Sequence, residues 1–582
     1  MGGKNFMVNL DKNSEIVAKS RYFMDNENSW SDVVERISRE ISKIDKDSKF
    51  ISNCGSSIYN MDFIPGGRII RNIGKIKGSM MNCNVLPIGD SIEEIGSCYK
   101  HALIIWSYGG GIGINFSTLR PVGTSLYTKG GHSSGLVSFL KAIDSLASTI
   151  ESGGQRRAAG MAICDVGHPE IIDFIDAKLQ DGLISYFNLS VAVNDSFLEA
   201  VEKNDKWDLK FGGRVYKTID ANMLWEKILN NMVKSAEPGL INWGNLTKNN
   251  TYYFSPITST NPCGELPLPN YGSCCLGSIN LVNMLNGTQT NWKKLEETIK
   301  VGIRFLDNII DLNYYPINEL ASESTNSRRI GLGIMGLGDL LIEKKIRYGS
   351  EKSLIEIDKL FKFIRDKSYE ASIELATEKS VFPMFNRVAY GKASFIRKLP
   401  VKIRMAIKEK GIRNSSILTC APTGTTSLLP NVTSGIEPIP FKAYRRTDRI
   451  NERVYIHKKY EKYLLEKIKG NIEDNDYFVD TTDLKPEDHF EVQSLIQKYI
   501  DSSISKTINL PEDTTVDKLN KLLLEYIYNL KGVTVYRDSS RSGQILNKIS
   551  EEEVIEILKS KEEVSTQLSE HDVKCSKGTC DI

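Results

Sequence analysis

Apolar positions recur along this chain in two rhythms. In SWSDVVERISREISKI they return every three to four residues with charges between, which predicts an amphipathic helix with Ser31-Asp32 at its cap. DSIEEIGSCYKHALIIW, LVSFLKAIDSLASTIES and HFEVQSLIQKYI carry the same period. LISYFNLSVAV (Leu183 to Val193) and SSILTC (Ser415 to Cys420) are short β-branched or aromatic runs that read as strands. Helices and strands alternate in this way from about Phe63 to Gln544, which argues for a parallel α/β architecture with its chemistry at strand ends and loops. Residues 1–62 read as a short helical region, 63–546 as the α/β body and 547–582 as one helix, EEEVIEILKSKEE, followed by a mobile polar tail ending in HDVKCSKGTCDI.

The 582 residues carry a net charge of only +2, with no basic stripe, so no dedicated nucleic-acid interface is expected. No apolar run approaches the roughly 20 residues of a membrane helix. The opening MGGKNFMVNL lacks the apolar stretch of a signal peptide, and a cytoplasmic location is expected. Ten cysteines are scattered rather than framed, which fits a reducing compartment. With six histidines and neither CxxC nor HExxH, no metal site is expected.

The densest chemistry lies in Asn261-Pro262-Cys263-Gly264-Glu265, with a second thiol at Cys274. In an extended segment, Asn261, Cys263 and Glu265 would share one face. Pro262 and Gly264 favour a loop over a paired central strand. No histidine lies near to activate the thiol as a nucleophile. A thiol between a carboxylate and an amide suits hydrogen-atom loss, with Glu265 as base and Asn261 as positioner.

The surrounding text, NPCGELPLPNYGSCCLGSINL and APTGTTSLLPNVTSGIEPIP, resembles the large catalytic chain of ribonucleotide reductases, closest to the adenosylcobalamin-dependent class II. MNCNVLPIGDS, GGGIGINFSTLRPVG, SGGQRRAAGMAI and TVYRDSSRSGQ match as well, in family order from Met81 to Gln544. The resemblance implies a ten-stranded α/β barrel of two five-stranded parallel halves, with the Cys263 loop as a finger through its centre. It implies reduction of ribonucleoside diphosphates to 2′-deoxyribonucleotides. Cys263 would be the thiyl radical that removes the 3′ hydrogen, Glu265 the base at the 3′-OH, and Asn261 the residue holding the ribose hydroxyls. Cys83 and Cys274 match the reducing pair; Cys275 competes for that role, and spacing from Cys263 favours Cys274. Cys54, Cys98, Cys164, Cys275 and Cys420 are expected to be packing residues.

In the same family context Pro422, Thr423, Gly424, Thr425 and Thr426 form a diphosphate cradle. That loop follows an apparent strand, and a strand-to-helix junction would aim backbone N–H groups at an anion. Gly111, Asn82, Cys83 and Pro262 to Glu265 complete the expected substrate contacts. Asp90, which opens a helix and doubles as a plain cap, and the loop residues Gly153, Gln155, Arg156 and Arg157 match an effector site for ATP or a deoxynucleotide across a homodimer interface. The helical N-terminal region is too short for the family's ATP-cone. Cys575 and Cys580 read as a tail shuttle reduced by thioredoxin or glutaredoxin. Val533 to Asp538 holds the single Tyr536 where class I chains have tandem tyrosines, so the resemblance implies adenosylcobalamin as cofactor. A class I large subunit needing a di-metal partner, and an inactive regulatory paralogue, are the alternatives.

Overall fold

The computed structural model describes residues 10–559, apart from 127–129, 153–155, 180–182, 252–254, 448–451, 471–476 and 538–545. Three helices lead in: Lys12–Arg21, Trp30–Ile44 and Ser48–Tyr59. The second starts on Ser29 rather than on Ser31-Asp32. Ser29 Oγ accepts from Asp32 N at 3.3 Å, and the Asp32 carboxylate accepts from Ser29 N at 2.9 Å, a reciprocal capping box. Its apolar stripe of Val33, Val34, Ile37 and Ile41 is buried, as the period demanded.

Ten of the strands among the described residues pair into a seven-stranded and a three-stranded sheet. They are β1 (Phe63–Pro65), β2 (Cys83–Val85), β3 (Gly111–Asn115), β4 (Gly160–Asp165), β5 (Phe187–Val193), β6 (Gly239–Asn242), β7 (Leu276–Asn280), β8 (Gly331–Met335), β9 (Thr507–Leu510) and β10 (Gly532–Arg537). One sheet has the order β9-β10-β6-β5-β4-β3-β2. Strands β2 to β6 are mutually parallel, β10 meets β6 antiparallel with Leu240 opposite Val533, and β9 runs parallel to β10. A second sheet, β1-β7-β8, pairs β7 and β8 in parallel. Single bridges add Asn84 to Ser273 (antiparallel), Leu332 to Leu418 and Cys420 to Ile504 (both parallel). The expected strand at Ser415–Cys420 is thus reduced to two bridging residues, while Leu183–Val193 gives a strand from Phe187.

The apolar residues fall into two main cores. One joins the N-terminal helices to β1, β7, β8 and the helix Trp292–Leu312. The other packs β3 to β6 against the helices Ile92–Ser107, Leu136–Ser148 and Ala221–Ser235. Such two-sided burial is what a parallel sheet requires. Cys54, Cys98, Cys164, Cys275 and Cys420 are all buried, and burial pushes the Cys54 and Cys98 thiols up to about 12. Among the described residues no helix is long and apolar enough to cross a membrane.

Candidate functional site

The Asn261–Glu265 motif sits at the tip of a hairpin whose arms are Ser259–Thr260 and Pro267–Leu268. The tip is a turn, not an extended segment. Gly264 adopts φ +79° and its N–H donates to Asn261 O at 3.0 Å. The shared face predicted by period two is therefore replaced by a division. Asn261 and Glu265 are buried at 0% and 2% exposure, and Cys263 is exposed. The tip is held from several sides. Thr419 Oγ1 and Ser503 N each donate to Glu265 O at 2.9 Å, Asn188 Nδ2 donates to Pro262 O at 3.2 Å, and Leu266 N donates to Asn261 Oδ1 at 2.9 Å. Strand β3 lies against it so closely that a Cβ on Gly113 would stand 1.7 Å from Thr260 O. One on Gly111 would meet Pro262 Cγ at 2.9 Å and Cys83 Sγ at 3.1 Å.

Burial raises the Glu265 carboxyl to about 7, against the lowering influence of the nearby Asn261 amide. Glu265 Oε2, Asn261 Nδ2 and Asn82 Oδ1 are buried without hydrogen-bond partners. Each such atom costs about 1–3 kcal/mol, so the two on residues that face one space, Glu265 and Asn82, mark a place built to receive polar groups. Cys83 and Cys274 lie side by side on antiparallel backbone, with Cys274 N donating to Cys83 O at 2.9 Å and Asn82 N to Cys274 O at 3.2 Å. Burial, and then the adjoining Cys83 thiol, push the Cys274 thiol well above its usual value. Cys275 turns away into the other core, its Sγ 3.4 Å from Leu306 O.

Glu265, Asn82 and Cys83 border a cavity of about 290 Å³. Its lining includes Asn82, Cys83, Gly111, Pro262, Cys263, Glu265 and the whole loop Pro422–Thr426. Asn261 and Cys274 lie behind this lining, and Gly264 faces the other way. The expected strand-to-helix junction at the loop is instead a three-residue 3-10 turn, Thr426–Leu428, preceded by Thr423 at φ +52°. Thr423 Oγ1 accepts from Gly435 N at 2.8 Å and Thr423 O from Ser427 N at 2.9 Å, which fixes the loop's path. Arg21, Arg68 and Arg71 also line the cavity and were missed in the sequence. Arg68 and Arg71, three residues apart after the glycine pair of PGGRIIRN, offered a signal; Arg21 offered none.

A second cavity of about 290 Å³ lies across the hairpin tip. Pro262, Cys263 and Gly264 border it, with Met161, Asn188, Ser190, Gly239, Lys506 and Thr534. Cys263 and Pro262 therefore face both spaces. Elsewhere, Asp90 is not the cap of its helix: Ser91 is, accepting from Glu94 N. Asp90 instead binds Arg120, with Oδ2 2.7 Å from Nε and Oδ1 accepting from Arg120 N at 2.8 Å. Arg156–Arg157 form a two-residue strand paired with Glu151–Ser152. Gly153, Gln155, Cys575 and Cys580 lie outside the described residues.

Residues 81–536 match the family model "Ribonucleotide reductase, barrel domain". The vitamin B12-dependent ribonucleoside-diphosphate reductase of Thermoplasma acidophilum is 35% identical over 566 residues, spanning 91% of this chain and 72% of that protein. The protein of the same name from Mycobacterium tuberculosis (strain H37Rv) is 36% identical over 519 residues, spanning 84% of this chain and 71% of its own. The ribonucleoside-diphosphate reductase subunit alpha of Chlamydia pneumoniae is 24% identical over 565 residues, spanning 83% and 54%. With its hairpin, paired thiols and loop set within the matched span, the chain belongs to the ribonucleotide reductase family.

Proposed function

We propose that this ribonucleotide reductase converts ribonucleoside 5′-diphosphates to deoxyribonucleotides by thiyl-radical chemistry at Cys263, with adenosylcobalamin as its cofactor. The observation that carries this reading is the placement of Cys263 between two cavities, one bordered by a base, an amide and the Cys83 thiol, with Cys274 directly behind it. In the first cavity Glu265 is the base at the 3′-OH. Its raised pKa leaves it able both to take a proton and to return one near neutrality. Asn261 Nδ2 and Asn82 Oδ1, without protein partners, hold ribose hydroxyls. Cys83 and Cys274 give up two electrons and two protons as the 2′-OH leaves as water, closing to a disulfide. Pro422–Thr426 cradle the phosphates.

The second cavity fits the cofactor's reactive end. Its wall is kept open at Gly239, where a Cβ would stand 3.1 Å from Ser190 Oγ and 3.4 Å from Val533 O. Ser190, Gly239, Thr534 and Lys506 would hold the group there, and when bound it supplies a carbon radical that can take hydrogen from a thiol. The single Tyr536 on β10, and the B12-dependent names of the relatives, favour this over a class I chain.

The architecture is read as a ten-stranded barrel. In this reading β2 to β6 form one parallel half. β10, β9 (reached through Ile504), Leu418–Cys420, β8 and β7 form the other, and antiparallel joints at Leu240/Val533 and Asn84/Ser273 close the ring. The hairpin tip, touching β3, β5, Thr419 and Ser503, is its central finger. Residues 1–62, 63–546 and 547–582 are taken as lead-in, barrel and redox tail. Asp90, with Arg156 and Arg157 on their short strand, belongs to an effector site across a homodimer, and Cys575 and Cys580 relay electrons from thioredoxin or glutaredoxin. Assay of the purified chain with each ribonucleoside di- and triphosphate, with and without adenosylcobalamin, tests the proposal. Activity confined to cofactor and diphosphate is expected. Activity gained only from a di-metal subunit refutes it.

A further inference from the structure

The first cavity carries more positive charge than the cradle loop alone accounts for. Three guanidinium groups line it, and Glu265 is the sole acid among its lining residues. Two of the three belong to one short helix, Gly67–Asn72. Arg68 is fixed there by the carbonyls of Tyr108, at 3.0 Å, and Gly109. Arg71 follows it three residues on and is half-buried. The third comes from a different part of the chain. Arg21 is the last residue of the helix Lys12–Arg21, and it is exposed.

That N-terminal helix is docked on the cradle. Ser14 Oγ donates to Leu428 O at 3.1 Å, just past the 3-10 turn of Thr426–Leu428. Its N-cap Asp11 accepts from Asn431 Nδ2 at 3.2 Å and Lys458 Nζ at 2.9 Å. At the other end Tyr22, beside Arg21, is buried, and its hydroxyl comes within 3.2 Å of where a Cβ on Gly67 would lie. Thr426 Cγ2 is 3.7 Å from the same point. Helix end, arginine helix and cradle therefore converge on one rim of the cavity.

We infer that Arg21 reads the terminal phosphate of the substrate, so that the N-terminal helix acts as a phosphate-counting wall of the ribonucleotide site. This rests on the first cavity being the ribonucleotide site. A guanidinium presents a planar fork of donors to phosphate oxygens. On an exposed helix end it contributes to affinity for a group that projects past Pro422–Thr426, and little to one that stops there. Arg21 is then a specificity residue acting on the phosphate chain.

Equilibrium binding of cytidine 5′-diphosphate and cytidine 5′-monophosphate to the full chain tests this without turnover. Removing one charge-assisted contact should weaken diphosphate binding by ~10-fold in Arg21→Gln, while the monophosphate changes less than about twofold. The preference for diphosphate over monophosphate should shrink accordingly, a coupling read directly from the four affinities. Arg21→Lys should recover part of it. Lys19→Gln, which removes a cation of the same helix that is paired on the surface with Glu15 at 2.6 Å, should leave both affinities unchanged. Equal weakening of both nucleotides in Arg21→Gln, or no weakening, overturns the inference. Absence of cytidine diphosphate binding to the unaltered chain overturns the assignment of the cavity itself, a separate failure.

Discussion

With Glu265 as the proposed base, acidification through neutrality should slow the reducing step, because a base must be ionised to work and burial raises this carboxyl to about 7. With that value, about nine tenths of the carboxyls are ionised at pH 8, about half at pH 7 and about a tenth at pH 6. The single-turnover rate of deoxynucleotide formation, measured with the chain's own thiols as reductant, should fall ~10-fold from its plateau to pH 6. An unperturbed glutamate would stay ionised over this range and give no limb. Stability supplies a second reading with a definite sign. The folded-state pKa is raised above the ordinary 4.5, so the folded chain binds this proton more tightly than the unfolded one. Its contribution is fully present below about 4.5 and is lost as pH rises through about 7, a change of ~3 kcal/mol for the whole shift. Glu265→Gln should therefore be inactive at every pH, yet gain stability relative to the parent by ~2–3 kcal/mol between pH 5 and pH 8. A parent rate at pH 6 within twofold of that at pH 8 would refute both the base assignment and the burial argument behind it.

Cys263→Ala should form no deoxynucleotide while binding substrate within about twofold of the parent, since an exposed thiol adds little affinity; radiolabelled product and equilibrium binding measure the two. Peptide mapping after one turnover should find Cys83 joined to Cys274, and a bridge to Cys275 would contradict their separation into different cores. Gly113→Ala places a methyl 1.7 Å from Thr260 O, so it should displace the hairpin and reduce turnover at least ~100-fold, as a positioning error at the reacting atoms does; near-normal kcat would refute the tight seat.

Periodicity was a good guide where burial is one-sided and continuous. The helices at 30–44, 92–107 and 486–497 were legible because an apolar stripe must face a core. Their caps were less so: Ser29 and Ser91, not Ser31 and Asp90, start two of them, because several short polar residues compete for one capping position. The site was legible in its residues and not in its shape. The spacing of Asn261, Cys263 and Glu265 invited an extended reading, but Gly264 in the left-handed region turns the backbone, and contacts from Thr419 and Ser503 fix it there. Those partners are distant in sequence, and no local pattern announces them. Arg21 was invisible for the same reason, since a surface arginine closing a polar helix is ordinary until the fold brings the helix against Thr426.

The hairpin tip stands between the two cavities, and Pro262 and Cys263 border both. Glu265 borders only the first and Gly264 only the second, while Cys263 is common to both. On the proposed reading the tip is an insulated feed-through: a hydrogen atom's worth of change crosses it at Cys263, while substrate and cofactor keep to separate chambers. On that reading the half that makes radicals and the half that spends them obey separate design rules. The outer chamber is free to be recut for another radical generator without disturbing how a sugar is held, deprotonated and reduced in the inner one.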